Sequence, residues 1–251
     1  MNESGETINP LSMELYLLLS LVTFLAGFTQ GLSGFGSLLL ALPLLTLFMD
    51  IKTVIPLLAL HALAITALLL IQLWKHLEWG KISPLLFGSI PGIFLGVFLL
   101  KTLDTRIIQF ILGLILVAYP LVSMKQRLIK PMKAWWAYVF GFFAGCLGGT
   151  LSASGPPVII YTAIQPWGKD TIKATLQGFF IASGVLVVFV QAAHGLMTSS
   201  VLNLFLISLP SLLIGTYAGS FFYGKISDQT YRKIMLILLG LLGLFTLYGT
   251  L

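Results

Sequence analysis

Long apolar runs, separated by short polar gaps, occupy almost the whole chain. A helix that crosses the hydrocarbon of a bilayer needs about 20 predominantly apolar residues. Eight blocks of the sequence are apolar over such lengths, at residues 11–49, 54–73, 82–100, 107–124, 134–167, 174–193, 201–223 and 234–251. Six of them have the length of one helix. The pattern therefore predicts an all-α polytopic membrane protein.

The first and fifth blocks are too long for one straight crossing, because they contain 39 and 34 residues. Each is interrupted near its middle by glycine, serine or proline, at residues 31–37 in the first block and 148–157 in the fifth. Each is predicted to form a broken helix or a helical hairpin. Counting both long blocks twice gives up to ten membrane segments.

Composition supports a membrane protein. The chain of 251 residues is 58% apolar and only 9% charged, whereas soluble proteins carry about 25% charged residues. The net charge of +6 comes from basic residues in the gaps between the blocks, without a dense patch or a nucleic-acid module. The predicted partner is therefore the lipid bilayer and not a nucleic acid. The single cysteine, Cys146, excludes an intrachain disulfide and a cysteine-based metal site.

The distribution of Lys and Arg decides how the two long blocks pass through the membrane. Single passages would divide the basic residues 6 to 8, whereas hairpins would divide them 3 to 11, with Lys52, Lys101 and Arg106 on the poorer side. The positive-inside rule favours the second arrangement. All five tryptophans fall at block ends on the side with 11 basic residues, as expected for an aromatic belt at the membrane interface. Residues 1–10 lack the basic region of a cleavable signal peptide, so the first span is expected to be retained. The division of basic residues places both termini outside the cell.

The two halves share one order of elements, a broken block followed by three single blocks. A shift of 119 positions matches three pairs of residues: Ser33 with Ser152, Gly36 with Gly155, and Pro91 with Pro210. Since each half makes an odd number of passages, the halves would form an inverted repeat, as in many secondary transporters. The predicted division is a first repeat over 1–124, a basic cytoplasmic linker over 125–133 and a second repeat over 134–251.

The two breaks carry the predicted chemistry. Irregular backbone at membrane depth is tolerated only where protein or a water-filled cavity covers it, so both breaks should face inward. Restarting helices offer free N–H groups and positive dipole ends, and hydroxyl groups can donate further hydrogen bonds. No Lys or Arg lies in the middle of a block, so an anion site would use helix ends and hydroxyls. Alternatively, the glycines only allow helices to pack closely.

His61 is the strongly titratable residue deep within a predicted span. Intramembrane ionisable groups are functional candidates, and histidine ionises near neutral pH, so His61 could couple transport to a proton. A neutral histidine that bonds to a neighbouring helix is an equal alternative.

The run Gly31-Leu32-Ser33-Gly34 matches the Gly-x-Ser-Gly motif of rhomboid-type intramembrane serine proteases, with His194 as the candidate base. A serine nucleophile needs a histidine within hydrogen-bond reach at a similar depth. His194 lies at a block end, so the protease is the weaker hypothesis. No HExxH, Walker A or metal-ligand cluster is present. The sequence therefore predicts no enzymatic activity, cofactor or metal site.

Two glycine-rich motifs cover the breaks. The first is Gly27-x-x-x-Gly31-x-Ser33-Gly34-x-Gly36, and the second is Gly145-x-x-x-Gly149 followed by Ser154-Gly155-Pro156-Pro157 and Tyr161. Together with the block order, they resemble the TauE/SafE family, also called the sulfite exporter family, over nearly the whole chain. The resemblance implies a bacterial or archaeal membrane protein that exports sulfite, sulfoacetate or a related sulfonate or carboxylate. The run at 153–156, where many members have Gly-Gly-Gly-Pro, resembles a branch associated with small organosulfur anions.

These observations predict a secondary transporter that exports a small anion through a central site between the breaks. The expected substrate-binding residues are Gln30, Gly31, Ser33, Gly34, Gly36, Ser37, Thr150, Ser152, Ser154, Gly155, Pro156 and Tyr161. An anion channel is the alternative within membrane transport, although no charged ring or repeated filter sequence is visible. The sequence leaves open a coupling proton or sodium ion and assembly into a homo-oligomer.

Overall fold

The fold is all helical throughout the described part of this computed structural model. The structure describes residues 10–102, 132–152 and 154–249, together with scattered helical positions between 106 and 121. Within these ranges the helices are α1 (Pro10–Ser33), α2 (Ser37–Leu45), α3 (Ile51–Leu73), α4 (Trp79–Thr102), α5 (Trp136–Leu151), α6 (Gly155–Ile164), α7 (Lys169–Ala193), α8 (Ser199–Tyr223) and α9 (Asp228–Tyr248). A 3₁₀ turn (Trp74–His76) links α3 to α4. The predicted all-helical fold is confirmed.

Most of the predicted linker over 125–133 lies outside the described residues, as do positions 1–9 and 250–251. The division into two repeats with a basic linker between them therefore stays a prediction.

The first long block consists of two helices, and the cause of its break lies in the backbone. α1 ends at Ser33 because Gly34 has a φ of +84°, a left-handed conformation that glycine adopts without strain. Gly36 has a φ of +94° and immediately precedes α2. The Gly34 N–H donates to Gln30 O at 2.7 Å and closes the last turn of α1. The predicted break at 31–37 is present.

The second long block also consists of two helices. α5 ends where Ser152 takes a left-handed conformation with a φ of +55°, and the Ser152 N–H donates to Gly148 O at 3.0 Å. α6 begins at Gly155, with Pro156 and Pro157 in its first turn. Proline suits that turn, because the missing N–H would have no intrahelical acceptor there.

α2 folds back beside the middle and the second half of α1. Leu42 and Leu45 of α2 share a buried apolar cluster with Leu19 and Val22 of α1. The nine residues of α2 span only about 14 Å, roughly half of the hydrocarbon thickness. α2 is therefore too short to cross the membrane fully, and the first block has the form of a hairpin with one short arm.

Two helix pairs cross at glycines, α1 with α8 and α4 with α5. A Cβ atom added at Gly219 of α8 would lie 2.1 Å from Phe28 O of α1. One added at Gly92 of α4 would lie 2.1 Å from Phe142 O of α5. The backbones touch only because both positions lack a side chain, as in the small-residue contacts of membrane helices.

The outer surface of the helices is apolar. Within the described ranges, five helices are long and apolar enough to cross a membrane: Met13–Ser33, Thr53–His76, Lys169–Ala193, Ser199–Tyr223 and Gln229–Tyr248. Large side chains such as Leu17, Phe94 and Ile214 are well over half exposed. So many exposed apolar side chains suit lipid and not water. The protein is a multi-pass membrane protein.

Candidate functional site

A partly enclosed cavity lies between the two breaks. Its volume is about 50 Å³. A cavity needs roughly 10–15 Å³ of volume to hold one water molecule, so this one admits a ligand of a few atoms. Both breaks and the middle parts of α3 and α7 line it, with Gln30, Phe35, Gly36, Ser37, Leu38, Ala59, Ala62, Thr66, Gly148, Ser152, Ser154, Gly155, Pro156, Ile159, Phe180, Gly184 and Val187. Among the described residues, none that lines the cavity is charged.

Seven of the twelve predicted substrate-binding residues line this cavity. They are Gln30, Gly36 and Ser37 from the first break, with Ser152, Ser154, Gly155 and Pro156 from the second. The fold thus brings two segments that are distant in sequence into one space.

Three predicted residues of the first break lie outside the lining. Gly31 packs on α8, where an added Cβ would lie 2.2 Å from a backbone carbonyl oxygen. The Ser33 hydroxyl donates to Phe35 O at 2.7 Å. The carbonyl of Gly34 accepts a hydrogen bond from Gln177 Nε2 at 2.8 Å. These three residues shape the break. Gly31 allows α1 and α8 to pack closely, which is the alternative role that the sequence left open for the glycines.

Two predicted residues of the second break also lie outside the lining. Thr150 Oγ1 donates to Cys146 O of its own helix at 2.9 Å. The buried Tyr161 ring packs against the rings of Phe140 and Trp167, with centroids 5.7 and 6.1 Å away. Both side chains contact protein groups rather than the cavity.

Amide and hydroxyl groups provide the polar lining. Gln30 Oε1 accepts a hydrogen bond from Ser37 Oγ, and the amide nitrogen of Gln30 has no partner among the described residues. Ser152 Oγ accepts from Gln191 Nε2 at 2.9 Å and keeps its own proton available. Thr66 Oγ1 of α3 is buried, and the described part of the chain offers it no hydrogen-bond partner. The Gln30 amide nitrogen, Ser152 Oγ and Thr66 Oγ1 can donate to an anion, whereas the Ser37 proton is used in the bond to Gln30.

The first turns of α2 and α6 differ in the backbone donors they offer. The N–H groups of Ser37 and Leu38 belong to the first turn of α2, where no intrahelical acceptor exists. In α6, Pro156 and Pro157 carry no N–H, so Gly155 is the backbone donor of that turn. The side of the cavity formed by the first break is therefore richer in N–H groups.

His61 bonds to α8 and lies next to the cavity-lining Ala62. Its Nε2 atom is 2.7 Å from Ser208 Oγ, and that hydroxyl donates to Leu204 O at 2.7 Å. Because the serine proton is used in this way, His61 Nε2–H is assigned as the donor and Nδ1 as an acceptor. Nδ1 is buried and has no partner within the described ranges.

The Ser33 hydroxyl has no histidine partner among the described residues. It lies 2.7 Å from both Thr29 O and Phe35 O. The exposed His194 bonds through Nδ1 to Val190 O of its own helix. This arrangement provides no base for a serine nucleophile. The described residues also contain no group of three or more His, Cys, Asp or Glu side chains that could hold a metal ion.

The lining contributed by α3 and α7 was missing from the sequence-based prediction. It includes Ala62 and Thr66 from α3 and Phe180 and Gly184 from α7. These residues lie within regular apolar helices, where spacing alone does not tell which side faces a ligand. The threonine was the available signal, since it places a hydroxyl group within an apolar run.

A multi-pass bundle of helices, with a neutral cavity between two helix breaks, defines the class as a polytopic membrane transporter. Residues 19–246 match the family model described as sulfite exporter TauE/SafE, so the chain belongs to this family. The resemblance found in the motifs is confirmed.

Two curated relatives carry transporter names. The "Probable sulfite/organosulfonate exporter TauE" of Cupriavidus necator is 26% identical over 189 residues, which cover 73% of this chain and 74% of that protein. The "Probable inner membrane transporter protein TsaS" of Comamonas testosteroni is 23% identical over 169 residues, covering 66% of this chain and 71% of that protein. No solved structure matches the chain significantly.

Proposed function

We propose that the protein is a secondary transporter that exports a small anion through the cavity between the two breaks. The observation that carries this proposal is the convergence of both breaks on one uncharged cavity, whose largely apolar lining carries a few hydrogen-bond donors. A sulfur oxyanion or organosulfonate, such as sulfite or sulfoacetate, suits these donors and agrees with the name of the Cupriavidus relative.

The proposal includes an inverted repeat. α1 of the first half packs on α8 of the second half, and their counterparts, α5 of the second half and α4 of the first half, also pack on each other. The contacts of α2 with α3 correspond in the same way to those of α6 with α7. Such matched pairs are expected if a two-fold axis relates the halves, and they support a substrate path along that axis.

We place the protein in the cytoplasmic membrane with both termini outside, on the strength of the 3-to-11 division of basic residues. In this orientation, an anion leaves a cell with a negative interior. Its exit is favoured by about 2.3 kcal/mol per charge and 100 mV. Export is therefore feasible without a coupling ion.

Flux of labelled sulfite, sulfoacetate and taurine into proteoliposomes, with and without an imposed potential, tests the proposal. Carrier flux should saturate with concentration and respond to the potential, whereas a channel would give a flux that rises linearly over the same range. Absence of flux with every anion would contradict the proposed function.

Removing one hydroxyl group from either break should weaken transport. Ser152→Ala takes a donor from the cavity, and Ser37→Ala removes the hydroxyl that binds and orients the Gln30 amide. Since a hydrogen bond to a charged group contributes about 1.5 kcal/mol or more, each variant should lower flux at subsaturating sulfite by about tenfold. Ser183→Ala is the matched control, because Ser183 is buried but bonded to Phe179 O of its own helix. A loss confined to one break would refute the shared site. If the parent cleaved a membrane substrate, and Ser33→Ala but not Ser152→Ala abolished that cleavage, the protease hypothesis would be favoured.

Proton coupling through His61 is a separate part of the proposal. Its Nδ1 atom is a free acceptor among the described groups, whereas glutamine could keep a hydrogen bond to Ser208 but could not take up a proton. We expect His61→Gln to retain flux driven by the membrane potential and to lose any acceleration by a pH gradient. An unchanged rate and pH profile of the variant would remove this role.

A further inference from the structure

Lys173 is a buried cation beside the first break. It lies in the first part of α7 and is only 1% exposed. Within the described ranges the ion pairs are His76 with Asp170 and Lys81 with Glu78, so no described carboxylate lies within 4.0 Å of the Lys173 ammonium. Burying a charge without a counter-charge is costly, and such a group in a membrane protein is a candidate for function.

The ammonium of Lys173 binds the backbone of the break. Nζ donates to Gly31 O at 2.5 Å and lies 3.6 Å from the centre of the Tyr223 ring. The lysine stem packs on Gly34, where an added Cβ would lie 2.9 Å from Lys173 Cγ. Both glycines lie outside the cavity lining, while their neighbours Gln30 and Phe35 belong to it. The break therefore separates Lys173 from the cavity.

Two further side chains hold the same stretch of backbone. Gln177 Nε2 donates to Gly34 O at 2.8 Å, and Tyr231 Oη donates to Ser33 O at 2.6 Å. We call Lys173, Gln177 and Tyr231 the carbonyl clamp. Its members come from α7 and α9, so the second half of the protein holds the first break in place.

The charged groups near Lys173 are engaged elsewhere. Asp170 accepts a hydrogen bond from Tyr223 Oη at 2.6 Å and lies 3.9 Å from His76 Nε2. The other nearby cation, Lys169, donates to Ile226 O and not to the break. The ligand of Lys173 is thus a neutral carbonyl oxygen, and a charge-assisted bond to an anion would be stronger.

We infer that Lys173 recognises the anion on its way to the cavity, exchanging Gly31 O for the substrate and so releasing the carbonyl clamp that closes the first break. This inference rests on the proposed function. α7 begins on the side that is rich in basic residues, where an exporter receives its substrate. A buried cation there attracts anions, while the cavity beyond it stays neutral and does not trap them.

Concentration dependence of sulfite flux in proteoliposomes tests the inference. Lys173→Met keeps the length of the side chain but removes its charge, and the half-saturating sulfite concentration should rise by about tenfold or more. Lys173→Arg should restore most of the affinity, since it keeps the charge. Lys169→Met, which removes a charge from the same end of α7, is the matched control and should change the half-saturating concentration by less than about twofold. Tyr231→Phe loosens the clamp without touching the charge and should alter the maximal rate rather than the half-saturating concentration.

The inference would be overturned if Lys173→Met left the half-saturating concentration unchanged, or if Lys169→Met raised it by the same factor. In either case, flux through the parent would leave the proposed function intact. Absence of flux in the parent would overturn both. Should Lys173→Met fail to give monodisperse protein, Lys173→Gln replaces it, because glutamine keeps a donor near Gly31 O and lacks the charge. The same rise in half-saturating concentration is then required.

Discussion

Replacing Ala62 by leucine is expected to reduce anion flux by about 100-fold and to leave the protein folded. Ala62 lines the cavity, whose volume is only about 50 Å³. The three added carbon atoms would occupy the space that the substrate needs. The same cavity is lined by the apolar side chains of Phe180 and Val187, so the added apolar atoms suit their surroundings and the cost in stability should stay within about 1–3 kcal/mol.

Ala67→Leu is the matched control for this experiment. Ala67 lies on the same helix but is exposed on its outer surface, so the same substitution adds the same atoms toward lipid. We expect parental flux from this control, measured with labelled sulfite at equal protein density. Parental flux from Ala62→Leu, in protein of equal monodispersity, would show that the substrate does not pass through this cavity.

Replacing Gly92 by leucine is expected to prevent correct folding. A Cβ atom at this position would lie 2.1 Å from Phe142 O and 3.0 Å from the Cys146 nitrogen, both of which belong to backbone. Because a backbone cannot move aside as a side chain can, α4 and α5 would have to separate along their contact. The loss should exceed about 3 kcal/mol, a large part of the stability of an ordinary protein.

The measurements are the monodisperse fraction in size-exclusion chromatography and the midpoint of thermal unfolding. Gly80→Leu on the same helix is the control, since nothing lies within 4 Å of a Cβ added there. It should behave like the parent. A monodisperse Gly92→Leu variant with a parental midpoint would contradict the close packing of α4 on α5.

The sequence alone was sufficient to predict where the helices break. Glycine in a left-handed conformation and proline in a first turn act within a few residues, so Gly34, Gly36 and Pro156 mark these points without reference to the rest of the chain. The apolar blocks likewise predict helices, because the bilayer permits little other backbone structure.

The role of single residues near the breaks was harder to predict. Gly31 and Gly36 belong to the same motif, yet the former packs against α8 and the latter lines the cavity. A motif records which residues are small, not which of them faces a neighbouring helix. Gln177 and Gln191 are polar residues within apolar runs, and each binds one break in the structure.

The sequence by itself determined the class of protein, its all-helical fold, the position of the two breaks and the family. These features follow from local backbone preferences and from the length of apolar runs. Only the tertiary structure decided which residues share the cavity, and only it placed Lys173 against the first break. The lysine lies 142 residues from Gly31, and such a contact depends on how helices rotate and cross. The rotation and crossing of the helices are set by packing across the whole bundle, and no short stretch of sequence contains both partners of the contact.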